Sequence, residues 1–181
     1  MKQVNKMTIR LIEGKNINFR EVVESDAAFI LNLRLDNRSN RFMTKTDNDL
    51  NKQIQWIREY QKRPQEHYFI IESKKKENYG TIRIDASRPD SFCLRSWIIT
   101  KGSPSTVAIE CVLLTYEFGF YKLGYRNCHF DVIKDNLKVV NFHKRFGAHV
   151  VFEDEEKIYF NFTIENYQQS KQRYRKFLPQ S

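Results

Sequence analysis

Glycine and proline are scarce in this chain, 6 and 4 among 181 residues, and neither clusters. That scarcity excludes collagen-like, linker-rich and low-complexity architectures and leaves short turns between closely packed elements. Cysteine is scarce too. Cys93, Cys111 and Cys128 are too few and too widely spaced for a disulfide scaffold, and they form no CxxC and sit beside no paired histidines. A metal site is therefore not expected, and each cysteine, set in an apolar stretch, reads as a buried, inert thiol. No apolar run approaches the roughly 20 residues that cross a bilayer. The opening MKQVNKMTIRLIEGK lacks the continuous apolar stretch and the small-residue cleavage site of a secretory signal. These absences imply a soluble, cytoplasmic protein with no membrane partner. Acidic residues are also in deficit: 22 Asp and Glu against 31 Lys and Arg leave a net charge of +9 at pH 7. The excess points to an anionic partner, and nucleic acid, a membrane surface and a phosphorylated small molecule all fit it.

What is present is enough for a core. Hydrophobic residues at 40% and aromatics at 14% suit one ordinary domain over residues 1–181, with a core of about 16–164 and a basic tail at 165–181. Asn16 to Val22 alternates as a strand, and Ser25 and Asp26 offer a cap for a helix carrying Ala28, Phe29, Leu31, Leu33 and Leu35. After an arginine-rich link, Asp36 to Lys45, Asp49 caps a second helix that Pro64 stops. His67 to Ser73 and Tyr79 to Ala86 form a hairpin, and Phe92 to Ile99 a further strand. Thr106 to Leu123 is apolar nearly all round, the mark of a buried helix. Asn127 to Val132 is a strand, Asn136 to Phe146 a helix with Gly147 at its αL position, and Ala148 to Glu153 and Lys157 to Ile164 a closing pair. The tail reads as a short docked helix with a solvated face. The order β-α-α-β-β-β-α-β-α-β-β predicts a mixed α/β domain, one sheet flanked by helices. It contains no GxGxxG, P-loop, HExxH, GxSxG or EF-hand pattern.

Two segments carry chemistry. Lys101-Gly102-Ser103-Pro104-Ser105 joins a strand to the long helix, so backbone N–H groups and the positive end of the helix dipole converge there, a phosphate cradle. Ser103, Ser105 and Thr106 add hydroxyls and Lys101 a charge, although Pro104 has no N–H to offer. An ordinary capped helix is the plain alternative. The second segment, Asp131 to Ala148, places Asn141 and His143 off the core-facing line of Val139, Phe142 and Phe146. Histidine is the usual proton-transfer group near neutral pH, and a structural or exposed ring on a short helix is the plain alternative.

At these residues the chain resembles the GNAT superfamily of acyl-CoA-dependent N-acyltransferases, over Ile17 to Thr163. The carriers are Asn16-Ile17-Asn18-Phe19-Arg20 with Glu24-Ser25-Asp26-Ala27, Gly80-Thr81-Ile82, and Leu123-Gly124 with Asn136 and Asn141-Phe142-His143-Lys144-Arg145-Phe146-Gly147-Ala148. The resemblance implies a GNAT-like fold: a central, mostly antiparallel sheet with a V-shaped splay between its fourth and fifth strands, here Phe92–Ile99 and Asn127–Val132. It implies acetyl-CoA (CoA) as cofactor, held by Trp97, Ile98, Ile99, Lys101, Gly102, Ser103, Ser105, Thr106, Val107, Ala108, Asn136, Asn141 and Phe142. The family's pyrophosphate loop is kept only in part, with Ser103, Thr106 and Ala108 at its signature positions. His143 replaces the tyrosine that relatives use to protonate the departing thiolate, and its imidazolium is the expected general acid. The fourth strand lacks the family's glutamate, so Glu72, Asp85 and His67 stand as candidate bases.

Arg34, Asn37 and Arg41-Phe42-Met43, with Gln53, Trp56-Ile57 and His67-Tyr68-Phe69, look most like the amino-sugar nucleotide N-acetyltransferases of the pseudaminic-acid type. That likeness implies a nucleotide-linked amine as acceptor, with Arg34, Arg38 and Arg41 on the diphosphate and His67 among the substrate contacts. A RimJ/RimL-like protein N-terminal acetyltransferase and a catalytically impaired CoA-binding module remain alternatives. Nucleic acid is not expected, since the cations are scattered and no RNP, KH or helix-turn-helix pattern appears. The protein is expected as a monomer or homodimer.

Overall fold

The computed structural model describes residues 9, 11–36, 42 and 45–179. Its strands are β1 (Ile12–Glu13), β2 (Ile17–Glu21), β3 (Glu66–Ser73), β4 (Asn78–Asp85), β5 (Ser91–Ile99), β6 (Asn127–Ile133), β7 (His149–Glu153) and β8 (Lys157–Thr163). Its helices are α1 (Ala27–Leu35), α2 (Leu50–Gln61), α3 (Thr106–Tyr116), α4 (Leu137–Phe146) and α5 (Ile164–Tyr174). The eight strands form one sheet in the order β1-β2-β3-β4-β5-β6-β8-β7, and every neighbouring pair is antiparallel except β5 and β6. The mixed α/β architecture expected from the element order is thus present. The short β1 is an addition, two residues turned back on β2.

Period-two alternation in β3 distributes its side chains between two cores. Tyr68 and Ile70 join Val22, Ala27, Ile30, Ile57 and Tyr60 beneath α1 and α2. Phe69 and Ile71 face the larger core with Val107, Cys111, Val112 and Leu114 of α3. All three cysteines are free and buried, as their apolar settings imply. The long apolar helix is α-helical only to Tyr116; Glu117–Lys122 widens to a π turn, with Leu123 N–H donating to Phe118 O at 2.9 Å. The widening sets Gly119 directly against Phe92, where a Cβ would come within 2.2 Å of the ring. Asp49 caps α2 through the Lys52 N–H at 3.0 Å, and Gly147 ends α4 at φ 104°, both as the sequence implies. Asp26 does not cap α1; both of its oxygens accept from the Arg20 guanidinium at 2.8 Å.

One buried carboxylate ties the two halves of the larger core. Glu110 of α3 is fully buried and accepts from Asn16 N–H (2.7 Å), Asn16 Nδ2 (2.8 Å) and Ile17 N–H (3.1 Å) at the start of β2. Hydrogen bonds to a charged acceptor contribute more than neutral ones, and buried donors left bare cost more still. Glu110→Ala is therefore expected to lower unfolding stability by about 3 kcal/mol, read from the urea midpoint. An unchanged midpoint contradicts this role.

Candidate active site

The parallel pair β5–β6 is short. Ser91, Phe92 and Cys93 face Asn127, Cys128 and His129, and beyond Cys93 the two strands have no common pairs. From Leu94 onward β5 keeps β4 on one edge and leaves its other edge open. On the β4 side the register breaks too: Thr81 faces Ile98 and Arg83 faces Arg95, so Ser96 and Trp97 together oppose Ile82. This is a β-bulge, with Ser96 at φ 47° and its carbonyl accepting from Thr81 Oγ1 at 3.0 Å. Bulges bend a strand and re-aim its groups. Gly80, at φ 153°, lets β4 approach here, since a Cβ would lie 2.1 Å from Ile98 O. The opening leads into a cavity of ≈ 1650 Å³ lined by β5 from Leu94 to Ile99 and β6 from Phe130 to Ile133.

Helix α4 sends aromatic rings across the gap. The His143 ring lies 4.2 Å from Phe130 of β6 and 5.8 Å from Trp97 of β5, and Phe142 lies 5.6 Å from Trp97 (centroid distances). His143 is 3% exposed, and its Nδ1 is buried with no hydrogen-bond partner among the described residues. Burial pushes the imidazole from 6.5 down to about 3. At neutral pH it is a neutral ring rather than the imidazolium expected from sequence. The carboxylates of the lining are already engaged: Asp47 with Lys52 Nζ (2.7 Å), Asp49 with the Lys52 N–H (3.0 Å), and Asp131 with Lys157 Nζ (2.9 Å).

At one end of the cavity lies the turn before α3. Gly102 takes φ 90° with open space where a Cβ would stand, Thr100 and Ser103 join hydroxyls at 2.7 Å, and Val107 N–H donates to Pro104 O. Lys101, Gly102, Ser103, Ser105 and Ala108 line the cavity with Asn136, Lys138, Val139 and Arg145 of the α4 segment. At the other end lie Arg34, Gln53, Trp56, Tyr68 and Arg83.

The expected site residues divide accordingly. His143, Trp97, Ile98, Ile99, Lys101, Gly102, Ser103, Ser105, Ala108, Asn136, Phe142 and Arg34 share this cavity. Thr106, Val107 and Asn141 are not among its lining residues, and Val107 packs into the larger core. His67 turns to the opposite face of β3, stacked on Phe69 and edge-on to Phe118, with Nδ1 3.8 Å from Glu21. Glu72 lies outside the lining, bound by Arg20 (3.1 Å) and Lys76 (2.6 Å). Asp85 is held by Arg95 at 3.1 Å; burial raises its carboxyl, but Ser87 and Arg95 outweigh this and leave it below the ordinary range. Arg38 and Arg41 lie outside the described residues, as do Asn37 and Met43. Sequence reasoning misses Arg83, because within an alternating strand it reads as an ordinary solvent-facing cation.

The family model for an acetyltransferase (GNAT) domain matches residues 16–149. The chain belongs to the GNAT acetyltransferases. Among solved structures it is similar to apo FdhC, a nucleotide-linked sugar GNAT, with 37% identity and a TM-score of 0.85 over 93% of this chain and 98% of that one. A protein from T. thermophilus described as an acetyltransferase shares 16% identity at TM-score 0.74, covering 91% of this chain and 95% of that one. A chimera of Vibrio cholerae spermidine N-acetyltransferase SpeG and hSSAT shares 15% at TM-score 0.73, covering 85% and 99%. These last two likenesses concern the fold. No curated protein matches the chain. The expected sheet, mostly antiparallel and splayed at one parallel pair, is that of this family. Among the described residues no helix is long and apolar enough to cross a membrane, and no three His, Cys, Asp or Glu residues group as for a metal.

The buried ring gives a direct check. His143 has an unfolded value near 6.5 and a depressed folded one. Its burial therefore contributes stability above about pH 6.5 that is lost as pH falls toward 3. Imidazole NMR of the free protein is expected to show His143 still neutral at pH 5; a midpoint near 6.5 contradicts the burial described.

Proposed function

We propose that this GNAT acetyltransferase moves an acetyl group from acetyl-CoA to the primary amine of a nucleotide-linked amino-sugar. The observation that carries the reading is the cavity. At ≈ 1650 Å³ it exceeds the roughly 300–1,000 Å³ of a single small-ligand site, and it is basic at both ends. Two phosphorylated ligands meeting at the splay account for both ends and for the +9 charge. FdhC, at 37% identity, is itself a nucleotide-linked sugar GNAT, which supports the same acceptor class.

The donor end fits a CoA pyrophosphate: the left-handed turn at Gly102 has room above it, the α3 terminus presents its dipole, and Lys101 adds charge. Bound acetyl-CoA supplies an activated thioester carbonyl and a thiolate leaving group. In this reading, N–H groups on the open edge of β5, near Trp97 to Ile99, donate to the carbonyl oxygen as charge develops there. Trp97, Phe130 and Phe142 keep water from the reacting atoms. The amine gives its first proton to water, because the lining carboxylates are engaged. His143, neutral at rest, accepts at Nε2 the proton the amine sheds on attack and passes it to the sulfur. Negative charge growing beside the ring raises its proton affinity at the moment it is needed.

Thiol release from acetyl-CoA tests this. Turnover is expected with a nucleotide-linked amino-sugar and not with a peptide N-terminus or spermidine. Turnover confined to the peptide overturns the acceptor assignment in favour of a protein N-terminal acetyltransferase, and CoA binding without turnover on any amine favours an impaired module. His143→Phe is expected to lower kcat by roughly 10²-fold while leaving the CoA Kd little changed. An unchanged kcat removes His143 from the proton path.

A further inference from the structure

Arg83 stands in the middle of β4, on the floor of the cavity end remote from α3. Its side chain is only 16% exposed, yet few of its donors are used. Nη1 donates to Glu66 Oε2 at 2.6 Å, while Nε is buried with no partner among the described residues. A desolvated guanidinium with bare donors on a cavity is costly unless an anion completes it. Glu66 does not neutralise it alone, because the same carboxylate also accepts from Arg63 Nη1 at 3.0 Å. Among the described residues, two guanidinium groups share this one carboxylate, which leaves one positive charge in excess of it. The neighbouring cations differ: Lys52 is paired with Asp47, Arg95 with Asp85, and Lys157 with Asp131.

The group is also held still. Its carbon lies 5.4 Å from the centre of the Trp56 ring, which is stacked on Tyr60 and edge-on to Tyr68. A guanidinium over an indole and pinned at one nitrogen presents its remaining edge in a fixed plane, the arrangement that suits two phosphate oxygens at once. Arg34, anchored by Thr46 at 2.7 Å, lines the same end. We propose that Arg83 binds the diphosphate of the acceptor, with Trp56 and Glu66 as its positioning residues. The inference rests on the reading of the acceptor as nucleotide-linked and assigns the residue that reads that group.

Calorimetric titration of the protein saturated with CoA, so that the α3 end is filled, tests it with UDP, dTDP and inorganic pyrophosphate as probes. Wild type is expected to bind a nucleoside diphosphate, and Arg83→Gln to bind it at least tenfold more weakly with its CoA affinity unchanged. Arg83→Lys, which keeps charge but not the two-pronged edge, is expected to fall between. Equal affinity in wild type and Arg83→Gln overturns the role of Arg83 while leaving the nucleotide-linked acceptor standing. Absence of nucleoside diphosphate binding by wild type overturns that acceptor and the Arg83 assignment together. Should Arg83→Gln lose its CoA binding through misfolding, Arg83→Lys decides: affinity equal to wild type overturns the proposal.

Discussion

The parting of β5 from β6 after three residue pairs is the constraint on which the rest of the site depends. A sheet that continued its ladder would close the cavity and bury the β5 edge. Two features hold it open. The Ser96 bulge turns β5 on its β4 side, and the rings of α4 bridge the gap, with His143 against Phe130 of one strand and Trp97 of the other. The ring between the strands is thus also a titratable group of the cavity lining. Its burial has a chemical consequence: an imidazole with apolar neighbours stays neutral near pH 7.

Charge is distributed to match. Acids near the opening are spent on lysines and arginines of the protein, and the carboxylate at the heart of the larger core, Glu110, is spent on backbone and side-chain N–H groups at the start of β2. Cationic side chains line both ends of the cavity, Lys101, Lys138 and Arg145 on one side and Arg34 and Arg83 on the other. A surplus that is compatible with any polyanion in the sequence becomes, in three dimensions, basic side chains along one cavity.

Much of this is written locally in the sequence. The β3–β4 hairpin, the Asp49 cap and the Gly147 stop follow from short-range rules, and so do the strands flanking the splay. What short-range rules miss is set by distant contacts. The bulge leaves no mark, because Ser at positive φ is an ordinary serine on paper. The π turn at Glu117–Lys122 depends on Gly119 meeting Phe92 from another strand. Side-chain facing in β3 decides that Tyr68 reaches the cavity and His67 does not, although the two are adjacent. Glu72 and Asp85 carry the right chemistry but are bound in ion pairs that only the folded sheet creates. The Lys101–Ser105 turn is legible because a helix terminus is a local feature, whereas the face of α4 is not: the pattern sets His143 off the core-facing line, and the structure buries it with Val140 and Phe146.

The open edge of β5 is the proposed seat of the donor. Backbone amide NMR of the protein titrated with CoA measures this directly. Shifts are expected to concentrate in Leu94–Ile99, in the Lys101–Ala108 turn and around His143, with β1, β7 and α5 little changed. Saturable shifts confined to other elements, or none at all at millimolar CoA, contradict it.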